Sequence, residues 1–222
     1  MLGAGYSFVT VAEFARRIGP GGPPAGLAAL SLDDGVRDNH SVVLPILRRY
    51  GIPATVYVTT GMIGRTYPWM SGDIPMMEED EIRELAEAGV EIGAHTITHP
   101  NMAELDQEQC LTEMNESRRE LERITSRSVE TFAYPFCHYG DAAVAAAEEA
   151  GFLAAVTCGG AGNWDRFTIK RSLITGKDGL PSFALKVAGL YQGLFDGRAG
   201  RITRHVTRPL RTRARALIDR RA

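Results

Sequence analysis

Four side chains in two short runs have the types and spacing to hold a metal ion and use it. Asp33-Asp34-Gly35 follows the apolar run Leu27–Leu32, and His95-Thr96-Ile97-Thr98-His99 follows Val90–Ala94. Two imidazoles four residues apart lie on one side of the chain, whether the backbone there is a helical turn or extended. One added carboxylate makes a two-His, one-carboxylate face suited to Zn²⁺ or another first-row divalent ion such as Co, Mn, Ni or Fe, with positions left open for water and substrate. Adjacent carboxylates point in different directions, so one can bind metal while its neighbour acts as base. A metal-bound water beside a carboxylate is enough for hydrolysis. Each run also has a plainer reading. Asp-Asp-Gly is a common turn sequence, and a His-x₃-His pair alone often carries no metal. Both at strand ends of one small chain favour a metal site. A non-haem iron oxygenase could use the same ligands, but it gives the second Asp no task.

The elements that must position these groups are legible around them. Apolar or β-branched runs at Leu27–Leu32, Ala54–Thr59, Val90–Ala94, Thr131–Tyr134, Phe152–Thr157 and Thr168–Arg171 alternate with amphipathic stretches, the pattern of a mainly parallel α/β sheet. Capping-box sequences at Thr10–Glu13 and Asp106–Gln109 open helices running to about Ile18 and Ile124. Further helices are expected at His40–Tyr50, Glu78–Ala88, Asp141–Ala150 and Leu180–Leu194, with Gly51, Gly89 and Gly151 as C-caps. Functional groups of parallel α/β folds gather at the carboxyl ends of strands. A third polar cluster, Pro135-Phe136-Cys137-His138, stands at such an end after Thr131–Tyr134.

The 222 residues are 44% hydrophobic and 23% charged, with a net charge of −2, which fits one folded domain and excludes disorder or a disulfide miniprotein. No apolar run approaches the roughly 20 residues of a membrane span. The first residues lack a basic start followed by an apolar run, and three cysteines form no pattern. The expectation is a cytoplasmic protein with free thiols, Cys137 being a small buried one. Charge is uneven. Residues 198–222 hold nine arginines and one acid, a net of +8, against −10 for residues 1–197. The division expected is a catalytic domain over 1–197 and an arginine-rich tail over 198–222. The tail reads either as a basic helix peripheral to anionic membrane, which would put the protein at the inner membrane face, or as a solvated extension. Nucleic acid is not expected as a partner, because the domain itself is acidic.

These residues resemble the polysaccharide deacetylases, the NodB-homology or carbohydrate esterase family four, from about Phe8 to Phe195. Ser31-Leu32-Asp33-Asp34-Gly35 is similar to the family's Thr-Phe-Asp-Asp-Gly, and His95-Thr96-Ile97-Thr98-His99 matches its His-Ser/Thr-x-x-His in full. Leu44-Pro45-Ile46-Leu47 and Tyr50-Gly51-Ile52-Pro53-Ala54-Thr55 are also typical. The resemblance implies a distorted (β/α) barrel with fewer than eight regular strands, and a metal-dependent hydrolase that removes N-acetyl groups from an amino sugar in a glycan, glycolipid or smaller glycoconjugate. It implies Asp33 as the base that activates metal-bound water, and Asp34, His95 and His99 as metal ligands, with zinc the first choice. The Phe136 backbone N–H would face the oxyanion. Tyr134, Trp69 and Trp164 are the candidate substrate-binding residues, the two tryptophans because loop aromatics can stack on sugar rings.

Two departures stand out. Ala133 replaces the motif Arg that orients the base in many relatives, although Phe132-Ala133-Tyr134-Pro135 resembles a branch of the family associated with exopolysaccharide. The family's Leu-x-His appears as Leu173-Ile174-Thr175, and Thr cannot serve as general acid near neutral pH. His138, on the loop of the third motif, is the candidate acid in its place. The non-enzymatic alternative is a degenerate relative that binds glycan without cleaving it.

Overall fold

In the computed structural model, which describes residues 5–66, 74–159 and 164–187, each of the six apolar runs forms a strand. These are β2 (Leu27–Leu32), β3 (Ala54–Val58), β4 (Glu91–Ala94), β5 (Thr131–Ala133), β6 (Ala154–Cys158) and β7 (Ile169–Arg171), preceded by a short β1 (Ser7–Val9) that the sequence reading did not find. Three residues are too few for a periodic signal; β1 exists because Ser7, Phe8 and Val9 pair in parallel with Leu27, Ala28 and Ala29. The seven strands lie in one sheet in sequence order, and every successive pair from β1 to β6 is parallel. Such order requires a crossover between neighbours, and helices supply it: α1 (Val11–Arg17), α2 (Leu44–Tyr50), α3 (Glu79–Glu87), α4 (Gln107–Thr125) and α5 (Asp141–Glu149) each fall between two strands. Seven strands are one short of a full (β/α)₈ barrel, as expected.

Two compact units divide the chain: residues 1–157 with 163–169, and residues 158–162 with 170–222. The first carries the five helices above and the strand ends of interest. The second contains α6 (Leu180–Val187). The expected boundary at 197, the arginine tail and Trp69 lie outside the described residues. No described helix is long and apolar enough to cross a membrane.

Helix ends follow their caps. The Thr10 hydroxyl accepts from the Glu13 N–H, and Asp106 and Gln109 cap α4 reciprocally. Gly51, Gly89 and Gly151 all take positive φ just past a helix. The helix expected from His40 instead opens as a π-helical turn over Asn39–Val43, with the Leu44 N–H bonded to the Asn39 carbonyl, before α2 begins. Pro45 has no N–H to donate to the carbonyl four residues back, and a wider turn accommodates the gap.

The core lies between sheet and helices. On α4 the buried residues Cys110, Met114, Ser117, Leu121 and Ile124 recur at helical spacing and form one stripe. The stripe packs near Phe132 and Phe152, and α5 approaches α4 closely through buried Ala143, Ala146 and Ala147. Burying each large side chain contributes roughly 1.5–3 kcal/mol. The Arg118 guanidinium closes one edge, lying 3.7 Å over the Phe152 ring and donating to the Ala150 carbonyl.

Candidate metal centre

Three loops at the carboxyl ends of β2, β4 and β5 bring the site together. Asp34 Oδ1 lies 3.4 Å from His95 Nε2 and 3.3 Å from His99 Nε2. One ligand atom from each of the three residues falls within 4.8 Å of the others, the one such cluster among the described residues. The donor set fits a divalent first-row ion: two nitrogens and one carboxylate oxygen converge. His95 is 2% exposed and His99 5%, whereas the Asp34 side chain is 24% exposed, so the triad is open on the carboxylate side. Asp33, its chain neighbour, is half-buried at the end of β2.

The His95 tautomer is fixed by chemistry. Its Nδ1 lies 2.7 Å from the Ala133 carbonyl oxygen, which can only accept, so the proton sits on Nδ1 and the Nε2 lone pair faces Asp34. This is the usual second contact of a metal-binding imidazole. It also explains how Ala can stand at 133: the residue serves His95 through its backbone, which any side chain would leave in place.

The turn carrying His99 is held from two sides. Thr60 N–H and Gly61 N–H donate to the carbonyls of Thr96 and Ile97 at 3.1 and 2.9 Å. A Cβ on residue 61 would lie 2.4 Å from the Ile97 oxygen, so that approach requires glycine. From the other side, Glu113 on α4 accepts from Ile97 N, Thr98 N and the Thr98 hydroxyl at 2.7, 3.0 and 2.6 Å. Within the turn, Thr96 Oγ1 donates to the His95 carbonyl and accepts from His99 N. Asp34, Thr96, His99, Phe136 and Cys137 all have positive φ; among the described non-glycine residues only Ser126 joins them. Such conformations cost about 1–3 kcal/mol each and gather where function over-determines geometry.

Phe136 is 49% exposed, and its ring meets His99 edge-on at 4.5 Å. His138 is exposed, 6.3 Å from the Phe136 ring, which puts the candidate acid at the rim. The loop is pinned by the Thr157 hydroxyl, which donates to the Cys137 carbonyl. Cys137 is not the free thiol expected. It is disulfide-bonded, and Cys110 is a free cysteine, buried, its thiol pushed up to about 11 chiefly by burial. Spacing along the chain carries no information about which strand ends adjoin.

Two substrate-binding candidates make other contacts. Tyr134 is fully buried and donates its hydroxyl to the Phe167 carbonyl; burial pushes the phenol far above its ordinary range. Trp164 lies against Phe14 of α1 and against Gly22, in a segment whose Arg166 carbonyl bonds Ala155 N, early in β6, away from the carboxyl ends. Thr175 donates its N–H to Asp178, which Lys186 and this contact hold down to about 2; it caps a turn. The sequence reading missed Glu113 and the Ala133 carbonyl. Neither belongs to a motif, and only Glu113's place one residue before buried Met114 could have hinted at it.

Several known proteins are similar to this chain. The Bacillus subtilis protein YxkH is 27% identical over 69% of this chain and 52% of its own length. Poly-beta-1,6-N-acetyl-D-glucosamine N-deacetylase of Staphylococcus aureus is 25% identical over 58% of this chain and 47% of its own length. The chain thus spans about half the length of the curated relatives it matches. Among solved structures, the Streptococcus pyogenes deacetylase PplD, in complex with acetate, superposes with a TM-score of 0.60 at 26% identity, covering 70% of this chain and 66% of that one. IcaB from Ammonifex degensii reaches 0.72 at 21% identity, over 86% and 84%, a likeness of fold. Residues 21–155, well over half the chain, match the family described as polysaccharide deacetylase, and to that family this chain belongs.

Proposed function

We propose that the chain is a metal-dependent carbohydrate N-deacetylase, hydrolysing the acetamide of an N-acetylated amino sugar in a glycan, glycolipid or smaller glycoconjugate. The observation that carries the reading is the convergence of Asp34, His95 and His99 beside a second carboxylate, Asp33. Asp34 and the two Nε2 atoms would hold the ion, zinc by preference for nitrogen-rich sites, with Co, Mn, Ni or Fe as substitutes. A bound divalent ion supplies Lewis acidity at the acetamide carbonyl.

The remaining steps belong to side chains and backbone. Asp33 takes a proton from the attacking water, whose oxygen forms the new bond to the acetyl carbon. The Phe136 N–H donates to the oxyanion that develops there, and a donor of this kind is worth roughly 10²–10³ in kcat. As the C–N bond breaks, His138 protonates the leaving nitrogen, and acetate and a free amine depart. The restricted exposure of His95 and His99 keeps solvent off the ligand face, while half-exposed Phe136 offers an apolar rim.

Acetate release from N-acetylglucosamine oligomers and small N-acetyl sugars, with Zn²⁺, Co²⁺ or Mn²⁺ supplied, tests the reading. Asp33→Asn should lower kcat by roughly 10²–10⁴ with metal content retained, and His99→Ala should lose both metal and activity. His138→Ala should lower kcat and leave metal content unchanged. Glycan binding without acetate release by the wild type would instead identify a binding protein.

A further inference from the structure

The proposed ligand set leaves open what holds His99 in place, since its turn has no regular secondary structure and carries two positive-φ residues, Thr96 and His99. Four backbone polar groups of the turn are engaged from outside it. The carbonyls of Thr96 and Ile97 accept from Thr60 and Gly61. The N–H groups of Ile97 and Thr98, with the Thr98 hydroxyl, all converge on one carboxylate, Glu113. Glu113 reaches them because α4 registers its buried stripe through Cys110 and Met114, which sets residue 113 at the stripe's border, half-buried and facing the β4 loop.

We propose that Glu113 is a positioning residue for the metal centre, acting through the Ile97–Thr98 turn to hold His99 at ligand geometry; this rests on the metal-dependent reading above. Three hydrogen bonds to an ionised acceptor are of the strong kind, and they oppose the cost of the left-handed residues on either side of the turn. Without Glu113, two N–H groups and a hydroxyl lose their partner and the turn is free to relax toward ordinary backbone. His99 then departs from Asp34 while His95, fixed independently by the Ala133 carbonyl, stays. The predicted defect is therefore in one ligand of three. Outer contacts of this kind typically govern 10–100-fold in metal affinity.

The test is Zn²⁺ affinity by chelator competition, with the visible spectrum of the Co²⁺ form as a second readout and thermal unfolding of the metal-free proteins as a control. Glu113→Ala and Glu113→Asp, the latter keeping the charge but withdrawing it by one methylene, should weaken Zn²⁺ binding at least tenfold and alter the Co²⁺ bands. Glu113→Gln should stay within about threefold of wild type, because its amide oxygen still accepts from both N–H groups and its amino group can donate to the Thr98 oxygen. Should the alanine variant not fold, the Asp and Gln pair carries the comparison alone. Wild-type affinity and Co²⁺ spectrum in both Asp and Ala variants, with only the melting temperature lowered, would overturn the proposal and leave the deacetylase reading intact. A wild type that binds neither ion would overturn both.

Discussion

The two ends of the parallel sheet solve opposite problems with similar polar residues. At the carboxyl ends, Asp34, His95 and His99 lie within about 4.8 Å of each other on loops that hold five positive-φ non-glycine residues. At the amino ends, Glu91 opens β4 and accepts from Ala12 N, Thr55 Oγ1 and Thr131 Oγ1 at 2.9, 3.0 and 2.6 Å. Thr55 Oγ1 in turn accepts from Val11 N. One carboxylate thus ties three strands to the first turn of α1, where N–H groups otherwise lack partners, and none of the residues bonded in this network has positive φ. Here the polar groups satisfy one another. The other end gathers a carboxylate oxygen with two imidazole nitrogens 3.4 and 3.3 Å from it, a donor set that fits a divalent cation. The difference shows that burial of polar groups does not by itself mark a site.

The sharpest way to break this contrast is Glu91→Ala. Three donors would lose their acceptor, at roughly 1–3 kcal/mol for each one left buried and unpaired, with partial relief from water. We expect a loss of about 3 kcal/mol in urea unfolding, with metal affinity and specific activity of the folded fraction unchanged. Lost metal binding in a folded Glu91→Ala protein would mean that the ends are coupled. A smaller effect is expected at Tyr134, one residue from the Ala133 carbonyl that orients His95. Tyr134→Phe removes only the bond to Phe167 and should cost about 1 kcal/mol of stability, leaving KM unchanged. A raised KM with unaltered stability would restore Tyr134 to the substrate-binding role first expected of it.

How much of this was legible depended on whether the signal was local. The strands from Ala54, Val90 and Thr131 announce themselves because β-branched and aromatic runs suit the pleat, and the ends of β2 and β4 delivered Asp34, His95 and His99 to one place. The caps at Thr10 and Asp106 were equally local. The direction of Trp164 was not legible because an aromatic in a loop has none in sequence; here it turns toward Phe14 and Gly22. Tyr134 sits in a motif, yet side chains alternate along a strand, and its ring falls on the buried side with Phe132 and Tyr139. The disulfide-bonded state of Cys137, the reach of Glu113 and the short strand β1 are all products of tertiary placement, for which chain spacing holds no cue. The π-helical turn at Asn39 was readable in principle, since Pro45 withholds a donor there.

The smallest effect tests the meaning of the strain. Ser126, at the end of α4, has φ 54 and ψ 30, with its N–H bonded to the Glu122 carbonyl. It is the left-handed cap that glycine usually fills, and it belongs to none of the three loops. Ser126→Gly should therefore stabilise the protein by about 0.5–1 kcal/mol, the relief of the Cβ clash offset in part by a more flexible unfolded chain. Activity should not change. Thr96 has nearly the same φ, 68, but its hydroxyl holds His99 N and the His95 carbonyl. Thr96→Gly relieves the same clash while deleting those bonds, so it should weaken metal binding and gain no stability. If the two glycine substitutions behaved alike in both melting temperature and Zn²⁺ affinity, the strain in the His95–His99 turn would be ordinary helix-cap strain, and the contrast between the two ends would rest on the ligand triad alone.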